Sequence, residues 1–97
     1  MVYASNDMRA AGGRLERKGA GKQVKIIGTD GLPGPAGGIE DVAKGDWSAT
    51  FTYPTGGKEA IDMAKSILLD CAESVPAVVT VDTTAITSDN AKSIMGN

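Results

Sequence analysis

An α/β fold built as a three-layer sandwich around a parallel sheet is what this sequence predicts, from three observations. Short β-branched or aromatic runs alternate with amphipathic stretches in the order β-α-β-α-β-α-β. Strands separated by helices call for parallel pairing through right-handed crossovers. Each apolar run also stops abruptly on turn or polar residues, as in Lys25-Ile26-Ile27-Gly28-Thr29-Asp30-Gly31, where a buried strand ends on a carboxylate and a glycine.

The first strand is Val2 to Ala4. Asn6-Asp7 follows as a helix N-cap, and Met8, Ala11, Gly12 and Leu15 recur at i, i+3, i+4 and i+7 as one helix face. Gly19 and Gly21 end that helix. The second strand runs from Val24 to Thr29, and a Gly/Pro-rich loop from Asp30 to Gly38 leads into a short helix, Ile39 to Lys44, stopped by Gly45. Trp47 to Tyr53 alternates with period two: Trp47, Ala49, Phe51 and Tyr53 on one side, Ser48, Thr50 and Thr52 on the other. Pro54-Thr55-Gly56-Gly57 breaks it. A helix over Lys58–Ala72 carries Ala60, Ala64, Ile67, Leu68 and Cys71 on one stripe, which predicts a buried, unreactive thiol. Val78 to Val81 predicts the fourth strand, with a Thr-rich extension through Thr87 and a short helix from Asp89 to Met95.

Composition excludes several functions. The 97 residues make one domain at most, and a net charge of −2 with scattered Lys and Arg gives no basic stripe for nucleic acid. With no His and one Cys, the usual general base and the common metal-ligand sets are missing, so no metal or other cofactor is expected. No nucleophile elbow is present, so an enzyme on this scaffold is disfavoured. No run approaches the roughly 20 apolar residues of a membrane helix. The residues Met1-Val2-Tyr3-Ala4-Ser5-Asn6-Asp7 lack the regions of a secretory signal. Glycines at 28, 31, 34 and 37 repeat every third residue, but four triplets between strands cannot sustain a triple helix, and the spacing does not fit a dinucleotide fingerprint.

Ligands of open α/β sheets bind at the carboxyl ends of the strands. Three polar groups end predicted strands there: Asn6, Asp30 and Tyr53. A carboxylate accepts from adjacent hydroxyls, an amide donates and accepts, and a ring packs on the C–H face of a pyranose. Singly each has a structural reading: Asn6 as a cap, Asp30 as a turn, Tyr53 as core. Together they form a candidate ligand-binding set.

Tyr3-Ala4-Ser5-Asn6-Asp7 with Ala10 and Gly12, then Ile27-Gly28-Thr29-Asp30-Gly31, then Ser48-Ala49-Thr50-Phe51-Thr52-Tyr53-Pro54 and a long helix resemble the second half of type 1 periplasmic sugar-binding proteins. The superfamily includes the ligand domains of lactose-repressor-type regulators. The resemblance covers nearly the whole chain and implies a flavodoxin-like C-terminal lobe over residues 1–97, with the first lobe absent. It assigns the sugar contacts to Asn6, Asp30 and Tyr53, the last standing where Gln or Asn is frequent. Asp-Gly-Leu-Pro-Gly-Pro-Ala-Gly-Gly-Ile with the later Tyr-Pro-Thr-Gly-Gly is most similar to periplasmic sensor domains of hybrid histidine kinases.

That likeness implies a non-enzymatic, periplasmic sensor of a monosaccharide or small oligosaccharide in a two-component system, meeting a membrane only through the full-length protein. The alternatives are the solute-binding protein of a sugar ABC importer and a repressor's effector domain. An absent first lobe further implies self-association of the isolated chain through Trp47, Phe51 and the Val78 to Val81 strand.

Overall fold

In the computed structural model, residues 1–96 are described as four strands and four helices: β1 (Val2–Tyr3), α1 (Asp7–Gly19), β2 (Ile26–Ile27), α2 (Gly38–Ala43), β3 (Ala49–Phe51), α3 (Gly57–Leu68), β4 (Ala85–Thr87) and α4 (Ala91–Met95). The sheet order is β1-β2-β3-β4. β1, β2 and β3 are parallel, with Val2 opposite Ile26 and Ile27 opposite Ala49. β4 runs antiparallel to β3, pairing Thr50 with Ile86. The fold is the α/β, mostly parallel architecture of a flavodoxin-like lobe.

Register fixes which side chains share a face, because they alternate across a strand. Ile26, Thr50 and Ile86 point to one side, where Ala10 of α1, Ile39 and Val42 of α2, Ala91 of α4 and Trp47 complete a single buried core with Ala4. The other side carries Tyr3, Ile27, Ala49, Phe51 and Ala85, all partly or fully exposed. Within this chain the helices therefore supply one covering layer, and the second face of the sheet is open.

Several expectations shift. Residues 78–81 form no strand, and β4 lies at 85–87 instead. The chain leaves β3 at its carboxyl end, makes an excursion, and re-enters at that same end, so the returning strand must run antiparallel. Thr84 N–H donates to Thr52 Oγ1 at 2.8 Å and Thr83 Oγ1 donates to the Thr52 carbonyl, pinning the entry. In α1 the inward residues are Asp7 and Ala10, whereas Met8 and Leu15 are exposed; small side chains let this helix approach the sheet and the bulky ones turn outward. In β3 the buried residue is Thr50, not Phe51. Trp47 precedes the strand and is buried in the core, so it cannot contribute to an open patch.

The excursion is an arm, residues 57–81. α3 buries none of its residues, and every residue from Ile67 to Thr80 is exposed. The helix ends at Leu68, four residues short of the Ala72 expected from sequence, and Cys71 lies beyond it, exposed and with φ of 52°. The expected burial of that thiol is thereby overturned: its stripe faces no sheet. The radius of gyration is 17.6 Å, against about 13 Å for a compact domain of this length.

Candidate functional site

The carboxyl ends of β1, β2 and β3 lie along one edge, because parallel strands share direction. β2 continues past Ile27 as far as an isolated parallel bridge between Asp30 and Thr52. Asp30 N–H donates to the Phe51 carbonyl at 2.8 Å and Tyr53 N–H donates to the Asp30 carbonyl at 3.2 Å. The Asp30 main chain is thus fully engaged with β3. Its φ is 123°, a region in which a side chain is strained and which persists only where the surroundings enforce it. Its carboxylate has no hydrogen-bond partner among the described residues.

Asn6 caps α1: its Oδ1 accepts from Arg9 N–H at 2.8 Å. Arg9 folds back to donate to Ser5 Oγ at 2.7 Å. The Asn6 amide nitrogen makes no bond among the described residues. Tyr53 is largely exposed.

A cleft of about 520 Å³ opens at this edge, lined by Tyr3, Thr29, Phe51, Tyr53, Val79 and Thr83 among others, within the size range of small-ligand sites. Two phenols, Tyr3 and Tyr53, stand in it, and the Tyr3 hydroxyl lies 3.1 Å from Thr29 Oγ1. Of the three residues singled out from sequence, Tyr53 lines this cleft; Asp30 adjoins it through its backbone bonds, and Asn6 sits at the same edge outside it.

Sequence reasoning missed Asp7. Its carboxylate is fully buried and accepts three bonds from neutral donors: Leu32 N–H at 2.8 Å, Gly38 N–H at 3.0 Å and Thr50 Oγ1–H at 2.7 Å. One side chain from the first turn of α1 thereby ties the β2–α2 loop, the first residue of α2 and the centre of β3. The donor at Gly38 is the start of a helix, where partial positive charge favours an anion. A Cβ at Gly38 would stand 2.5 Å from Asp7 Oδ2, and one at Gly28 2.7 Å from Oδ1; only glycine lets the two backbones close around the carboxylate. The available signal was a hydroxyl, Thr50, at an inward strand position, which needs a buried partner.

Away from this edge, Arg14 pairs with Asp46 at 3.1 Å. Nearby, burial pushes the Asp41 carboxyl above its usual range, partly opposed by the Arg14 charge and reinforced by Asp46. Among the described residues, no group of His, Cys, Asp and Glu could hold a metal, and no helix is long and apolar enough to cross a membrane.

Solved structures share this fold over nearly its whole length. The fructose binding periplasmic domain of hybrid two component system BT1754 is 30% identical with a TM-score of 0.83, over 97% of this chain and 32% of that one. A Mycobacterium smegmatis protein in complex with beta-D-fucofuranose is 28% identical with a TM-score of 0.81, over 99% and 32%. The chain shares the fold of one lobe of these periplasmic sugar-binding proteins. An ABC transporter periplasmic solute binding protein from Actinobacillus succinogenes 130z with bound D-allose is 27% identical, with a TM-score of 0.73 over 94% and 32%. The chain spans about a third of the length of each of these. No protein-family model and no curated protein matches the sequence.

Proposed function

We propose that this chain belongs to the C-terminal lobe of an extracytoplasmic carbohydrate-binding domain, and that it senses a monosaccharide or small oligosaccharide for a two-component kinase. The observation that supports this most is the coincidence of two things at one sheet edge: unpaired polar groups on Asn6 and Asp30 beside a cleft with two phenols, in a fold whose solved relatives hold sugars. In this reading the Asn6 amide donates to a sugar hydroxyl, Asp30 accepts from one or two, and Tyr53 packs against the ring or donates to it. The chain binds and carries out no chemistry. It draws on no cofactor.

The open face of the sheet and the exposed arm fit the same reading. Apolar residues left uncovered in this way mark interfaces. Ile61, Ile67, Leu68 and Leu69 on the arm would pack against the first lobe, and a site closed from both sides would remove the sugar from water. The likeness to an ABC solute-binding protein supports a second reading, in which the lobe delivers its sugar to an importer.

The test is Asp30→Asn in the full-length protein, titrated calorimetrically with fructose, allose and arabinose. Affinity should fall by about 1.5 to 3 kcal/mol, the worth of a charge-assisted hydrogen bond, with the melting temperature nearly unchanged. Unchanged affinity would reduce Asp30 to a turn residue.

A further inference from the structure

We propose that Asp7 is a positioning residue for sugar binding, acting through Asp30; this rests on the reading that Asp30 contacts the sugar. Asp30 occupies a strained backbone conformation, φ of 123°, and is followed by Gly31 at φ of 61°. Such a conformation must be enforced from both sides. On the β3 side, enforcement is visible in the bonds from Asp30 N–H to Phe51 and from Tyr53 N–H to Asp30.

On the other side, the next N–H after Gly31 is that of Leu32, and it donates to Asp7 Oδ2. The same oxygen takes the Gly38 N–H, and Oδ1 takes the Thr50 hydroxyl. Without the carboxylate, the start of the segment Gly31 to Gly37 would keep only its bonds to β3 and the long bond from Ile39 N–H to the Leu32 carbonyl, 3.3 Å. Asp30 could then relax toward an ordinary φ, swinging its side chain away from the edge. Because Asp7 also follows Asn6 directly, one buried group sets the spacing between two of the three proposed contacts. A carboxylate with three donors and no charged partner is an expensive way merely to fasten a loop, and the loop it fastens begins at the proposed site.

The experiment measures affinity in the full-length protein with whichever sugar of a fructose, allose and arabinose panel the parent binds best. Asp7→Ala should weaken binding about tenfold, the loss of a charge-assisted contact's alignment. Asp7→Asn should stay within about threefold, because an amide oxygen can accept both N–H groups while its nitrogen donates to Thr50 Oγ1. In an Asp30→Ala background, Asp7→Ala should cost nothing further, since the side chain it positions is gone. A merely structural residue would lower the melting temperature and leave the affinity of the folded protein alone. If Asp7→Ala does not fold, Thr50→Val removes one donor and should show the same coupling at about two- to threefold.

Full affinity in Asp7→Ala, or losses that multiply in the double variant, would overturn the proposal while leaving Asp30 as a contact. No effect of Asp30→Asn alone would overturn both.

Discussion

The clasped body and the projecting arm have similar sequences in one respect and opposite fates. α3 carries the cleaner apolar stripe, yet it buries nothing; α1, with three glycines, three arginines and an inward aspartate, is locked to the sheet. The difference teaches that amphipathic spacing says a face will be covered without saying by what. α1 is covered because small residues at its inner face let Asp7 reach three donors on other elements. Among the described residues the arm makes no such bonds to the body, and no buried core residue lies on it.

The sharpest way to break this contrast is to truncate equivalent aliphatic groups on each side of it. Ile86 is fully buried on β4 between α2 and α4, so Ile86→Ala should lower unfolding free energy by about 2 to 5 kcal/mol, the transfer loss plus an unfilled cavity. Leu68 on the arm is 75% exposed. Leu68→Ala should move stability by less than about 0.5 kcal/mol in this chain. Urea denaturation of the two variants measures both. A comparable loss at Leu68 would mean that the arm folds back on the body in solution.

A second pair uses backbone instead of core. Gly38→Ala places a methyl group 2.5 to 2.6 Å from the Asp7 carboxylate and should destabilise by about 1 to 3 kcal/mol through forced displacement of the clasp. Gly57→Ala at the first position of α3 meets nothing closer than 3.8 Å and should be neutral or stabilising by a few tenths of a kcal/mol, as helix propensity favours Ala. If Gly38→Ala melts with the parent, the carboxylate is not held as tightly as its three bonds indicate.

How much was legible in the sequence follows from which signals are local. The Asn6 cap and the helix ends at Gly19 and Gly45 are set by residues within a turn of one another and stand where the pattern places them, whereas the strands expected over 24–29 and 47–53 form over the shorter spans Ile26–Ile27 and Ala49–Phe51. The fourth strand was misplaced because Val78 to Val81 has strand-like residues but no neighbour; β-branched runs become strands only where an edge is available. In the sequence Asp7 reads only as part of a cap, because its partners lie 25, 31 and 43 residues away. Phe51 and Thr50 show the same limit: bulk suggests which side of a strand turns inward, and one long-range hydrogen bond reverses it.

The smallest expected effect concerns charge. Asp41 is nearly buried in the body, and desolvation, the largest influence, raises its pKa from 3.8 against the opposing pull of Arg14. A raised carboxyl pKa means the folded state favours the protonated form. Its penalty is therefore absent below the ordinary carboxyl pKa and appears as pH rises through the higher folded value. Asp41→Asn removes that penalty, so the variant should melt slightly above the parent at pH 7, and the difference should shrink to nothing toward pH 4 and below. The arm supplies the control: Lys58 and Asp62 pair at 2.6 Å but are exposed, and although the Asp62 bond raises the Lys58 pKa, solvent screening leaves such pairs with little effect on folding. Asp62→Asn should leave the melting temperature where it is from pH 4 to 8. A constant offset for Asp41→Asn across that range would trace its effect to packing instead of ionisation, and a pH-dependent shift for Asp62→Asn would place the arm's charges in contact with something less polar than water.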